Sequence, residues 1–411
     1  MNWAFFGWRI VLALALMRFV GSGIGIWGRG VLLIPMEQDL NVGRDMISLV
    51  FAATILPPAL LGPIGGKLMD RFGGRRVLVI SSIVAGMGFV SLLWVNSFFT
   101  LVLVYIGFIS LAYNWCIWQA PTAITNNWFL HNKALGLSIL SAGVGAGGLT
   151  LVPVASFLVD AFGWRNASAI GGIALAVAGV SVGIIVRNRP SEKGLEPDGI
   201  PAPTSGLPSR ESWGFTARQA MHTRLFWLML MGGVLWLSIE LSMQLHFFPL
   251  LVSKGATTAT AAWLTSLLAA MTLGGVLLVG WLSDKFDGRY LLSFFGLFLA
   301  TAMVVLLVAG STSGYLLATL LLAPMDAIWP VLWAIVGREY GPAFYNTIRG
   351  TIYGFILYGS LAWQYLPGIV FERTGSYDLW LITMSVVALV TTVIFYMAAR
   401  SKVIRPSDVA V

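Results

Sequence analysis

A ten-residue phrase that occurs twice constrains the fold of this chain more than any single residue does. Residues 66–75 read Gly-Lys-Leu-Met-Asp-Arg-Phe-Gly-Gly-Arg, and residues 280–289 read Gly-Trp-Leu-Ser-Asp-Lys-Phe-Asp-Gly-Arg. The matching positions are 214 residues apart, from Asp70 to Asp284, which is about half of the 411-residue chain. Trp115 and Trp329 keep the same offset. A repeat of this length predicts two copies of one structural unit.

The composition places both copies in a membrane. Hydrophobic residues make up 58% of the chain and charged residues only 10%, far too little charge for a surface that faces water. Twelve apolar stretches reach the roughly 20 residues that a membrane-spanning helix needs. The sequence therefore predicts an all-α membrane protein with spans near 8–36, 46–66, 77–95, 99–124, 134–159, 167–187, 224–252, 259–282, 290–310, 314–337, 349–370 and 379–399.

The two predicted halves are joined by a segment of different composition. Residues 187–221 are rich in proline, glycine, serine and charge, which is typical of a flexible linker. We predict a six-helix half at 1–187, a cytoplasmic linker at 188–223 and a second six-helix half at 224–411.

Lysine and arginine predict the orientation. With both termini in the cytoplasm, 19 of these residues fall in inner loops and four in outer loops, namely Arg44, Arg165, Lys254 and Arg373. This asymmetry is the one found in membrane proteins. It also explains the formal net charge of +8 without a nucleic-acid partner, because the bases form no groove-sized patch.

Several kinds of chemistry are excluded. The single cysteine, Cys116, cannot form an internal disulfide, and three histidines are too few for a metal cluster. No phosphate-binding Gly-x-x-x-x-Gly-Lys-Ser/Thr phrase occurs. We therefore expect no cofactor, no metal and no enzymatic activity; any transport would be driven by an ion gradient or by exchange.

The twelve spans, the central inner loop and the doubled loop phrase resemble the major facilitator superfamily of secondary transporters. Shorter phrases, at 6–8 and 245–249, resemble the bacterial oxalate/formate and monocarboxylate-type carriers. The resemblance implies two pseudo-symmetric halves that alternate access around a midplane site, with helices 1, 4, 7 and 10 lining a central cavity. It also implies a monomer in the cytoplasmic (inner) membrane.

Four charged side chains lie deep in the predicted spans: Arg18, Arg29, Glu240 and Asp326. Because a charge at the bilayer centre is costly, each should face a cavity or a partner rather than lipid. Arg18 and Arg29 are eleven residues apart, which places them on one helix face with Ser22 and Gly25 between them. The alternative is that both arginines form fixed salt bridges with the two carboxylates.

All four charges lie on the helices that the resemblance assigns to the cavity, and the same helices carry further polar and aromatic residues. We therefore predict a substrate site formed by Arg18, Arg29, Asn114, Trp115, Trp118, Gln119, Glu240, Gln244, Asp326, Trp329 and Trp333. For the tryptophans, packing or lipid contact is the alternative. Proton coupling is assigned to Glu240, Asp326 and His246, since carboxylates and imidazole can exchange protons; His246 could instead be a hydrogen-bonded interface residue.

The repeated loops carry a third set of residues, the latch residues, which are Asp70, Arg71, Arg75, Asp284, Lys285 and Arg289. Their charges can pair with acidic groups and with the negative ends of helices. We predict that these contacts hold the inner side closed.

We interpret the chain as a secondary transporter, a proton symporter or an exchanger, of a small organic anion. Two arginines on one wall favour a carboxylate. A larger aromatic or amphipathic solute, such as a vitamin or drug, is the alternative substrate. A non-transporting membrane sensor is the alternative of another class, but we expect the ends to be too short for an output domain.

Overall fold

A computed structural model describes residues 5–129, 133–199, 214–283, 285–341 and 345–401, and every regular element in these ranges is helical. The membrane helices are α1 (Phe6–Leu40), α2 (Arg44–Ala53 and Leu56–Phe72), α3 (Gly74–Ser91), α4 (Phe98–Trp128), α5 and α6 (together Lys133–Ile185), α7 (Arg224–Ser253), α8 (Thr258–Ser283), α9 (Gly288–Val308), α10 (Thr312–Leu321 and Ile328–Tyr340), α11 (Tyr345–Thr374) and α12 (Asp378–Arg400). Short 3₁₀ turns at Pro190–Lys193 and Pro197–Gly199 and a helix at Ala217–Met221 lie between α6 and α7.

The predicted number of spans is confirmed. Ten helical stretches of the described chain are long and apolar enough to cross a membrane, and one of them, Leu135–Ile185, has 51 residues. Gly163 interrupts this stretch with φ +78°, a conformation that glycine adopts without steric cost. It therefore contains two spans, α5 and α6, and α11, with 30 residues, completes twelve.

Contacts divide the chain into two compact units. Unit 1 contains Met1–Ser205 and Gln244–Ala270, and unit 2 contains Gly206–Met243 and Met271–Val411. The parts of α7 and α8 next to their connecting turn thus pack with the first six helices. The predicted domain limits at 187 and 223 stay predictions, and residues 200–213 of the linker lie outside the described chain.

Glycines bring the helices of unit 1 into backbone contact. A Cβ added at Gly147 would meet the carbonyl oxygen of Phe19, and one added at Gly143 would meet that of Ala15, so α5 lies directly against α1. A Cβ at Gly86 of α3 would lie 2.6 Å from the Gly172 carbonyl oxygen of α6. The glycines of α5 thus allow α1 and α5 to pack with their backbones in contact.

Within the described residues, α1, α4 and α10 carry irregular segments near the predicted site residues. α1 contains a π-helical segment at Gly23–Trp27, and α4 contains two, at Leu103–Ser110 and Trp115–Gln119. α10 is interrupted between Leu321 and Ile328, where a 3₁₀ turn at Met325–Ala327 follows Pro324. These irregular segments lie beside most of the predicted site residues, and π-bulges occur frequently at functional sites.

Candidate functional site

Arg18 is held by α4. Its Nε donates to the Ile117 carbonyl oxygen at 3.1 Å, and its Nη2 donates to the Thr122 hydroxyl at 2.8 Å. The guanidinium carbon also lies 4.8 Å from the ring centroid of Trp118. The side chain is buried, and it makes no ion pair with a carboxylate among the described residues. Neutral oxygens and an indole face thus stabilise this cation, while its charge is not neutralised by an acidic side chain.

Arg29 has fewer polar contacts. Its Nη1 lies 3.4 Å from the Thr54 hydroxyl, and its guanidinium carbon lies 5.7 Å from the ring centroid of Phe51. Its Nε is buried with no hydrogen-bond partner in the described part of the chain, and so is the nearby hydroxyl of Tyr105. A buried, incompletely satisfied guanidinium costs free energy. An anion bound next to Arg29 would offset that cost.

Ser22 departs from the predicted wall of helix 1, whereas Gly25 lies on the side of α4 that Arg18 also faces. Ser22 is fully buried and donates to the Val144 carbonyl oxygen of α5 at 2.8 Å. Gly25 faces Tyr113 of α4, whose ring lies 2.5 Å from a Cβ added there.

Arg18 faces α4. Arg29 lies near the Phe51–Thr54 segment of α2 and also near Tyr105 and Tyr113 of α4. That the two arginines share one face of α1 stays a prediction.

The predicted residues of α4 form two groups. Trp118 is 36% exposed and stacks with Arg18. Trp115 and Gln119 both lie against Gly65 of α2, where an added Cβ would be 2.5 Å from the indole nitrogen and 2.6 Å from the amide oxygen. The indole nitrogen of Trp115 and the amide oxygen of Asn114 are buried and have no hydrogen-bond partner among the described residues. Both can still bond a ligand or water.

In unit 2, α7 and α10 meet through contacts that include the predicted site residues Glu240 and Trp329. The Trp236 indole donates to the Met325 carbonyl oxygen at 2.6 Å, and the Trp329 indole nitrogen lies 3.5 Å from Oε1 of Glu240. Glu240 is buried, at 6% exposure. Asp326 is half-buried in the 3₁₀ turn that interrupts α10. Asp326 therefore lies within the irregular part of α10. Glu240 contacts the Trp329 indole, at the start of the helical segment that follows it.

An aromatic cluster continues from Glu240 along α10. Trp329 and Trp333 are stacked, with ring centroids 5.9 Å apart and planes 26° apart. Two residues that the sequence analysis did not select complete it: Tyr353 meets both indoles edge-on, and Arg349 lies over Trp333. In the sequence, these two residues are four positions apart on one predicted span. This spacing places a base and an aromatic ring on the same helix face and could have indicated the pair.

Gln244 and His246 belong to unit 1 rather than to unit 2. His246 is fully buried, and its Nε2 lies 3.4 Å from the hydroxyl of Ser48 in α2. Ser48 lies one turn after Arg44, which pairs with Glu37 at 2.7 Å. His246 is thus packed close to a charged pair at the predicted outer end of unit 1.

The repeated loops place their arginines in equivalent positions. Arg75 donates to the Gly183 carbonyl oxygen at 2.6 Å in the last turn of α6, and Arg289 donates to the Ser401 carbonyl oxygen at 3.3 Å just after α12. In each unit the base thus binds the carbonyl end of that half's sixth helix, where cations are favoured. Arg289 also pairs with Asp287 at 2.7 Å and with Glu339 at 3.6 Å.

The loops differ at the position before the second glycine. Gly73 has φ +83°, and a Cβ there would contact the side chain of Asn188. Asp287, its counterpart, accepts a hydrogen bond from the Arg289 backbone nitrogen and begins α9. Burial opposes ionisation of Asp287, but the hydrogen bonds and charge of Arg289 prevail and hold its pKa below the usual 3.8.

The contacts of the remaining latch residues do not show whether these residues hold the inner side closed. The Arg71 guanidinium lies over Phe72, and the Lys285 ammonium lies 3.8 Å from the ring centroid of Trp281. Asp284 and the side chain of Asp70 lie outside the described residues. The latch stays a prediction.

Comparison with known proteins agrees with this architecture. The family described as "Major Facilitator Superfamily" matches residues 10–360. Human monocarboxylate transporter 11 is 24% identical over 283 residues, which are 68% of this chain but only 57% of that protein. The 4-hydroxybenzoate transporter PcaK of Pseudomonas aeruginosa is 26% identical over 344 residues, covering 77% of this chain and 74% of PcaK.

The fold also matches solved transporters. A bacterial homologue of the human lysosomal transporter Spinster, solved in an inward-facing and unoccupied conformation, superimposes with a TM-score of 0.72 at 18% identity. The match covers 96% of each chain. These relatives are transporters rather than enzymes. The match over most of its length shows that this chain is a multi-pass membrane protein that belongs to the Major Facilitator Superfamily.

Proposed function

We propose that this chain is a secondary active transporter of a small organic anion with a carboxylate group, working by alternating access in the cytoplasmic membrane with both termini in the cytoplasm. One observation carries the proposal: Arg18 and Arg29, which lie deep in the first predicted span, have no acidic partner among the described residues of unit 1. An uncompensated cation at this depth is costly unless it serves a ligand or an ion pathway.

Arg29 is the first candidate for the carboxylate. Its Nε has no hydrogen-bond partner in the described chain, and the hydrogen bond from its Nη1 to Thr54 is long, at 3.4 Å. A guanidinium can bind a carboxylate through two parallel hydrogen bonds. Two guanidinium nitrogens of Arg18 already donate hydrogen bonds to α4, so we assign this residue a supporting electrostatic role. The names of two relatives, a monocarboxylate transporter and a 4-hydroxybenzoate transporter, support a carboxylate substrate.

Transport would be coupled to protons or to exchange of a second anion. Glu240 is a buried carboxylate whose Oε1 faces the Trp329 indole, and Asp326 lies in the interrupted part of α10. A protonatable group at such a position can link proton movement to a change of conformation. His246, next to Ser48, is the remaining candidate.

A larger aromatic or amphipathic solute is the second candidate substrate. The stacked pair of Trp329 and Trp333 favours it, and so does the partly exposed Trp118. Such a solute needs no carboxylate. The two candidates therefore differ in whether a carboxylate is required for recognition.

Counterflow into proteoliposomes separates them. Proteoliposomes that contain the purified protein would be loaded with unlabelled short carboxylates or with unlabelled neutral aromatic solutes. Entry of the labelled form of each compound would then be measured. Carboxylate counterflow should fall at least tenfold in R29Q, which corresponds to the loss of a hydrogen bond between charged groups. R9Q is the matched control, because Arg9 lies in the same helix but is exposed. Carboxylate counterflow that is absent in the wild type, or equal in R29Q and R9Q, would refute the proposal.

A further inference from the structure

We infer that unit 2 carries its own subsite for a planar aromatic carboxylate, built from Arg349, Tyr353, Trp333 and Trp329. The inference rests on the proposed transport of organic anions and specifies the class of anion. None of the residues of unit 1 is needed to form it.

The three rings make one continuous aromatic wall. Trp329 and Trp333 are stacked, and the Tyr353 ring centroid lies 5.5 Å from that of Trp329 and 6.3 Å from that of Trp333. The position of Trp329 is further fixed by its 3.5 Å contact with Glu240. Tyr353 is 43% exposed, and both indoles are partly exposed. The three rings thus support one another, and each of them is partly exposed.

Arg349 supplies the charge. Its guanidinium carbon lies 5.0 Å from the ring centroid of Trp333, and the side chain is exposed. Arg289 and Arg338, at the same ends of neighbouring helices, both pair with Asp287 and Glu339. Arg349, in contrast, makes no ion pair with a carboxylate among the described residues. It is a guanidinium whose contact is an indole face rather than an acid.

This arrangement fits a ligand that has both a ring and a carboxylate. The two indoles are already at the separation of a direct aromatic pair, so no third ring fits between them. A ligand ring would instead occupy the face of Trp333 that the guanidinium now covers. Arg349 would then turn from the indole to the ligand carboxylate and form two hydrogen bonds with it.

The exchange of partners makes the subsite selective. An aliphatic carboxylate could bind the guanidinium but would leave the indole without an equivalent stacking partner. A neutral aromatic solute could stack, but it would have to displace a cation that it cannot bind. The wall and Arg349 together therefore favour a planar ring that carries a carboxylate.

Titration calorimetry on the purified full-length protein tests this with two probes, benzoate and cyclohexanecarboxylate. The probes share the carboxylate and differ mainly in planarity and aromatic character. The wild type should bind benzoate several-fold more tightly, W333L should abolish that preference, and R349Q should weaken benzoate binding about tenfold. R400Q is the matched control, because Arg400 is an exposed arginine stacked on Tyr396 at 4.7 Å.

The outcomes distinguish the subsite from the transport proposal. If both probes bind the wild type equally, or if W333L keeps the preference for benzoate, the subsite is refuted while anion transport stands. If neither probe binds and carboxylate counterflow is also absent, both proposals fail. W333F, which keeps a ring, should retain part of the preference, and it serves if W333L does not fold.

Discussion

The contact between α1 and α5 at Gly147 gives a sharp test of the packing that positions the two arginines. An alanine methyl at this position would fall against the Phe19 carbonyl oxygen and the Ser22 hydroxyl, well inside contact distance. The Phe19 oxygen belongs to the backbone and cannot rotate away. G147A therefore requires α1 to move away from α5.

The size of the effect follows from two opposing terms. Overpacking a close contact typically costs about 1–3 kcal/mol, whereas replacing a helical glycine by alanine gains up to about 1 kcal/mol. Gly274 of α8 provides the matched control, because an added Cβ there meets nothing within 4 Å. Both variants gain the same helix propensity, so G147A should be less stable than G274A by about 1–3 kcal/mol.

Equilibrium unfolding in mixed detergent micelles, followed by circular dichroism, measures this difference. Because α1 carries both arginines, G147A should also lose more substrate counterflow than G274A. If the free energies of unfolding of the two variants agree within about 0.5 kcal/mol, which is the usual range for neutral substitutions, the backbone contact between α1 and α5 is wrong.

Two further predictions concern charged groups. Arg289 holds the pKa of Asp287 below its usual value despite burial, so the Asp287 carboxylate adds stability at neutral pH that is lost as the pH falls through the lowered pKa. D287N, which can still cap α9, should be less stable than the wild type at pH 7 in the same micelle assay, and the difference should shrink in acid; a difference that is independent of pH would contradict this. For coupling, E240Q or D326N should abolish uptake that is driven by a pH gradient, while exchange partly persists. Uptake would be measured in proteoliposomes with and without the gradient. Unchanged pH dependence in both variants would contradict this assignment and leave His246 as the group to test.

The architecture could be predicted from the sequence because it depends on properties that repeat. Membrane length sets the length of each span, and the doubled loop phrase indicates the duplication. The structure extends that duplication to contacts, since Arg75 and Arg289 bind carbonyl oxygens at the ends of α6 and α12. The difference between Gly73 and Asp287 is visible in the sequence, but its consequence, a positive φ in one loop and a helix cap in the other, is not.

The neighbours of the site residues were only partly predictable. Helical spacing puts Trp236 and Glu240, four residues apart, on one face of α7, and in the structure both side chains contact α10. The contacts of Arg349 and Tyr353 in α11 with the two indoles were not predicted. In the sequence, Arg349 indicates only a positively charged inner loop. A base at the end of a span satisfies that topological role whether or not it also covers an indole, so the sequence pattern alone does not separate the two roles.

The two arginines of α1 differ in how far the protein satisfies their hydrogen-bond donors. Arg18 donates to two oxygens of α4. Arg29 lies near the Phe51–Thr54 segment of α2 and near Tyr105 and Tyr113 of α4, and its Nε has no hydrogen-bond partner among the described residues. A guanidinium with an unused donor can form two parallel hydrogen bonds with a carboxylate more readily than one whose donors are bound to protein oxygens. We therefore expect Arg29 to meet the substrate carboxylate and Arg18 to support it electrostatically.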